Sequence, residues 1–109
     1  MKIDLNPDYV EFAEVDGIWA RAYTLEKRHQ VASQHVHEHD HITLLASGSV
    51  ALWRNGEQVS KHIAPALITV PAGDKHAFVA LTDNVVLCCL HNLRGTGLEA
   101  PAIAKEVTI

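Results

Sequence analysis

His35-Val36-His37-Glu38-His39-Asp40-His41 packs four of the chain's eight histidines into seven residues. Two backbone readings compete for this run, and they imply different proteins. His37-Glu38-x-x-His41 satisfies H-E-x-x-H, in which two helical histidines four apart bind zinc beside a glutamate base. On a strand, His35 and His37 project from one face instead, and His41 keeps their parity if no bulge intervenes. The neighbours favour the strand. His, Asp, Thr and Val are indifferent helix formers; Val36, Ile42 and Thr43 interleave with or follow the run, and Gly48 and Asn55-Gly56 come soon after. Neutral imidazole is the commonest protein ligand for transition metals. Several imidazoles on one inward face are costly to bury unless something accepts their lone pairs, and a metal does so. Turned outward, the same cluster would be merely solvated. If the strand bulges, His39 takes the place of His41.

Working outward, short runs rich in Val, Ile, Leu and Thr alternate with turn residues. They predict strands over 18–25, 42–45, 49–53, 66–70, 77–81 and 85–90. Asn55-Gly56 marks a hairpin, because both positions of its turn require positive φ. No window sustains a 3.6-residue apolar period with caps, so little helix is expected. Strands at this spacing suggest a sandwich or barrel. Residues 1–17 read as an irregular lead-in, with turns at Asn6-Pro7-Asp8 and Asp16-Gly17. Residues 92–109 read as a tail that pairs with an edge strand of this or a second subunit.

Composition bounds the function. The chain has 109 residues, 48% hydrophobic and 20% charged, and a formal net charge of −4, which fits one soluble globular domain. An acidic balance argues against nucleic acid or an anionic membrane, since both need a basic face. No apolar stretch nears the roughly 20 residues that span a bilayer. The start lacks the apolar core of a signal peptide, so a cytoplasmic location is expected. Cys88 and Cys89 are adjacent, which makes a bridge between them sterically poor.

The histidines also sit in a longer pattern. His35-x-His37, three residues, His41, six residues and Gly48 have the spacing of the first cupin motif, with His41 where that family usually has glutamate. Pro71-x-Gly73-x-x-His76 matches the core of the second motif, and 16 residues separate Gly48 from Pro65, where that motif should begin. Over about residues 29–80 the chain therefore resembles a small single-domain cupin. His29 and Pro65 stand where the motifs normally open with glycine, and Ala80 where the second closes with asparagine; none of these removes a ligand.

The resemblance implies an all-β, cupin-type double-stranded β-helix (a jelly-roll barrel) over 18–91. It implies a homodimer and a small-molecule ligand or substrate. It also implies one divalent transition metal per chain, whether Fe, Mn, Zn, Ni or Cu, held by His35, His37, His41 and His76. Four neutral imidazoles leave the ion its whole double charge, which favours anionic or oxygen-rich ligands. The activity so implied is a metal-dependent oxidoreductase of dioxygenase kind; the alternative is a non-catalytic, metal-containing binding or sensor protein. Phe78 and Ala80 share the parity of His76 and are expected to line the barrel. Trp19 and Trp53 read as core or interface, and Cys88 or Cys89 as inward-facing. His91 reads as a surface residue, with the pocket mouth as its other possibility. Glu38 and Asp40 have the chemistry to accept the ligands' second N–H, but parity sends them to the opposite face.

Overall fold

Alternating burial is what assembles this molecule. The computed structural model describes residues 10–33 and 40–94, and every regular element among them is a β-strand. These are β1 (Val10–Val15), β2 (Ile18–Leu25), β3 (Val31–Ser33), β4 (His41–Ser47), β5 (Ser49–Arg54), β6 (Glu57–Ile63), β7 (Ala66–Val70), β8 (His76–Ala80) and β9 (Val85–Asn92). Along β8 the buried residues are His76, Phe78 and Ala80, and along β9 they are Val85, Leu87, Cys89 and His91. That period of two gives each strand one inward face.

The strands form a five-stranded sheet, ordered β1-β2-β9-β4-β7, and a four-stranded sheet, ordered β3-β8-β5-β6. All the pairings are antiparallel. The inward faces meet in one core of Tyr23, Leu25, Leu45, Ile68, Val70, Val85 and Leu87 from the first sheet, with Ala32, Val50, Leu52, Phe78 and Ala80 from the second. This is the double-stranded β-helix expected from the sequence.

Gly48 is the corner where the chain leaves the sheet of β4 for the sheet of β5. Its φ is +82°, and a Cβ there would lie 2.8 Å from Thr82 Oγ1 and from Val85 Cγ2. Only glycine meets both demands.

The irregular lead-in expected over 1–17 is corrected at Val10–Val15, which pairs along its whole length with β2. Val10 and Phe12 alternate with Glu11, and Asp16-Gly17 then closes a tight hairpin with φ of 50° and 80°. The same dipeptide that signals the start of β2 also marks the end of a strand before it. The tail expected over 92–109 lies, from residue 95, outside the described residues.

Candidate metal centre

His41 opens β4 and His76 opens β8, so the two sheets each supply one inward imidazole at the same end of the barrel. Both are buried, and their ring centroids lie 5.4 Å apart. Imidazole nitrogens sit about 2.0–2.1 Å from a bound first-row ion, so the centroids of two rings sharing one can be at most roughly 6.5 Å apart. The observed pair is within that limit.

The His76 ring is oriented. Its Nδ1 lies 3.2 Å from the backbone carbonyl oxygen of Asp74. A carbonyl only accepts, so Nδ1 carries the proton and Nε2 presents its lone pair. This is the arrangement by which proteins fix a ligating histidine. Burial holds the His76 pKa below its ordinary value, opposed by the Asp74 carbonyl and carboxylate and aided by the nearby Arg54 guanidinium. The ring is therefore neutral at neutral pH, as a ligand must be.

The turn that carries His76 is braced from two sides. Asp40 Oδ1 accepts the Ala72 N–H at 2.7 Å. From the β5–β6 hairpin, Arg54 pairs with the Asp74 carboxylate, which also accepts from Asn55 Nδ2 at 3.3 Å. Asn55 Oδ1 takes the Lys75 N–H at 3.1 Å, and the Asn55 N–H donates to the Lys75 carbonyl at 2.7 Å. The hydrogen bond from Arg54, with that from Asn55, holds the Asp74 carboxyl below its usual pKa.

His91 corrects the sequence reading. It is buried rather than on the surface, with its ring 4.4 Å from that of His41 and 4.7 Å from that of Trp19. Trp19 in turn stacks on Phe12 at 5.9 Å. The apolar run predicts a strand ending at residue 90; one further alternation after Val85, Leu87 and Cys89 places His91 inside. Beneath this layer, Thr43 Oγ1 and Cys89 Sγ are hydrogen-bonded at 3.3 Å, so Cys89 is the inward cysteine.

Of the four sequence-predicted ligands, the structure brings His41 and His76 together. His35, His37 and the rival His39 lie outside the described residues. Among the described residues no group of three His, Cys, Asp or Glu side chains is arranged to hold an ion alone, so the pair needs donors from elsewhere. Phe78 and Ala80 line the interior as expected. Trp53 does not join the core: it walls a groove of about 710 Å³ with Val31, Ala77 and Val79, on the outer face of the four-stranded sheet.

No protein-family model matches the sequence, and no curated protein does. Solved structures do match in shape. A cupin superfamily protein from Desulfitobacterium hafniense is similar at a TM-score of 0.64 and 14% identity, over 84% of each chain. An RmlC-like cupin from Desulfovibrio desulfuricans reaches 0.67 at 21% identity, over 84% of this chain and 89% of that one. KdgF from Halomonas sp. reaches 0.62 at 24% identity, over 82% and 83%. The described barrel has the cupin fold.

Proposed function

We propose that this chain is a metal-dependent oxidoreductase of dioxygenase kind, acting on a small anionic or oxygen-rich molecule at a centre held by His41 and His76 together with His35 and His37. The observation that carries the reading is the inward pair His41 and His76, one from each sheet, with the His76 tautomer set for ligation. When bound, an Fe or Mn ion in such a set supplies a redox couple and open positions for a chelating ligand. The chain supplies the rest. The Asp74 carbonyl holds His76 in its ligating tautomer, Asp40 and Asn55 hold the turn beneath it, and the stack of Trp19 on His91 keeps the flank of His41 dry. A wholly imidazole set adds no negative charge, so the centre attracts anions.

The same site admits a second reading, a binding or sensor protein without turnover. The buried polar residues are His41, Thr43, His76 and His91, with no carboxylate among those described. Chemistry that needs a carboxylate base is thereby disfavoured, which leaves metal-centred redox chemistry or binding alone. The homodimer belongs to the same proposal, formed through the outer face of the five-stranded sheet.

The test is elemental analysis of untagged protein, followed by O2 consumption with Fe(II) or Mn(II) across small diketones, phenols and thiols. One ion per chain, lost in both His41→Ala and His76→Ala, with turnover of some substrate, is the expected result. An ion content unchanged by both substitutions overturns the centre. Ligand binding without O2 uptake retires the enzyme in favour of the sensor.

A further inference from the structure

Arg21 occupies a position in the barrel wall that neither the metal centre nor the core accounts for. On β2 the residues Trp19, Tyr23 and Leu25 are buried, and Arg21 shares their parity. Its register partner on β9 is the buried Cys89, and on the other side it faces Phe12 of β1. The side chain is thus directed into the molecule, where its guanidinium carbon lies 4.8 Å from the Tyr23 ring centroid.

That contact satisfies none of the guanidinium N–H groups with a conventional acceptor. One of them, at Nε, is buried and has no hydrogen-bond acceptor among the described residues. Nor does any described carboxylate form an ion pair with Arg21; the pairs made by arginines are Arg54–Asp74 and Arg94–Asp16. Glu14, the acidic residue on the same face of β1, is exposed. A buried N–H on a permanent cation is costly without an acceptor. The residue as a whole nonetheless stays partly solvent-accessible.

The surroundings define what that acceptor is. Across the five-stranded sheet Arg21 stands beside Cys89 and Thr43, both with polar groups turned inward. This polar row lies two residues along the strands from the row of Trp19, His91 and His41, a spacing of about 6.6 Å. One row further on, Tyr23, Leu87 and Leu45 are wholly apolar core apart from one phenol. A planar fork of donors two residues along the strands from a row of inward histidines suits a carboxylate, which it can engage through two N–H groups at once.

We infer that Arg21 is the anchor for the carboxylate of a small ligand whose remaining oxygen functions reach the histidine row. This deepens the proposed function and rests on it for the far end of the ligand, whereas the near end depends on Arg21 alone. The ligand class is a short carboxylic acid with a second oxygen donor three to five bonds from the carboxylate.

The experiment uses the full chain in metal-free and metal-loaded forms, with acetate, glycolate, malonate and succinate as probes and succinamide as the neutral control. Binding is read by calorimetry, and on the wild-type protein by the Nε–H resonance of Arg21. The expected result is binding of at least one carboxylate to metal-free protein, a shifted Arg21 Nε–H signal, and no binding of succinamide. Arg21→Gln should weaken that binding at least ten-fold, and Arg21→Lys, which keeps charge but loses the fork, should weaken it less. Equal binding by Arg21→Gln, an unmoved Nε–H signal at saturation, or no binding of any probe overturns the assignment. Should Arg21→Gln fail to fold, the wild-type resonance decides alone. A metal content insensitive to His76→Ala, beside intact Arg21-dependent binding, would sink the metal centre and leave this anchor standing.

Discussion

Replacing Gly48 by alanine should be far more damaging than replacing Gly56, although both have nearly the same backbone angle, φ of +82° and +84°. The left-handed conformation costs a residue with a Cβ about 1–2 kcal/mol, partly offset by about 0.4–1 kcal/mol from the stiffer unfolded chain. At Gly56 nothing lies within 4 Å of the new Cβ, so that difference, about 1 kcal/mol, is the whole effect. At Gly48 the Cβ would also sit 2.8 Å from Thr82 Oγ1 and Val85 Cγ2 and 3.2 Å from Val85 Cα, the last being backbone that cannot swing away. Overpacking of this kind costs about 1–3 kcal/mol. Moving Thr82 also strains its 3.1 Å hydrogen bond from the Ser49 N–H, worth about 1 kcal/mol. Gly48→Ala should therefore cost about 3–5 kcal/mol, lowering Tm by about 12–20 °C, against about 4 °C for Gly56→Ala. Thermal melts of the metal-free variants followed by circular dichroism make the comparison. If the two substitutions cost the same, the crowding at the corner is not real and the close approach of β9 to Gly48 is wrong.

Acid should erode stability first through His76. Its folded pKa is lowered by burial, so the unfolded chain binds its proton more readily; the stabilisation is complete above the ordinary value of 6.5 and is lost as pH falls below it. Urea melts of metal-free protein between pH 8 and pH 5 should show that slope, and His76→Gln should reduce it; an unchanged slope refutes the assignment. Asp74, whose pKa is also lowered, keeps its contribution until pH drops below 3.8. Asp74→Ala removes the acceptor of Arg54 and Asn55 and loosens the carbonyl that orients His76, so chelator competition should show metal affinity about ten-fold weaker; unaltered affinity would show that the turn holds itself. On the outer face of the five-stranded sheet, Ile42 stands opposite Leu90 and both are exposed, as is Leu67. Leu90→Glu should convert a dimer to monomer in sedimentation velocity, and a wild-type monomer or an unaffected dimer would refute that interface.

What was legible in the sequence was local. Pro71-x-Gly73-x-x-His76 was legible through its resemblance to the second cupin motif, and the strand expected from 77 begins one residue earlier, at His76. His41 was legible by strand parity with His35 and His37 and by the spacing of the first cupin motif, and it opens β4 with its ring inward. The brace around Asp74 was not. It depends on the β5–β6 hairpin arriving beside residues 74 and 75, some 20 positions away, through pairings such as Arg54 with His76. Asp40 was half legible: parity correctly turned it from the interior, but only the fold reveals that the outward carboxylate reaches the Ala72 N–H. His91 was missed because a strand end is decided by its partner, here β2, where Trp19 pairs with it. Arg21 is not legible, because a charged residue within an apolar run reads as an outward position until register fixes which face it takes.

The interior is graded along the strands, and the grading explains how so small a barrel carries a polar site. Leu25 and Val85 face each other at one end, followed by Tyr23, Leu87 and Leu45, all buried in the main core. Next come Arg21, Cys89 and Thr43, then Trp19, His91 and His41. Each step of two residues replaces apolar surface by groups that hydrogen-bond or ligate. Stability from burial is concentrated where Gly48 brings the two sheets together and Val85 packs against it. The proposed centre lies at the far end, where His41 and His76 open their strands beside loops. Two demands are thus separated in space: dense packing, which tolerates no unsatisfied donor, and a binding site, which requires some. Substitutions near Gly48 should therefore alter melting more than metal or carboxylate affinity. Those at Asp74 should do the reverse, because the side chains it touches, Arg54 and Asn55, are outside the packed core.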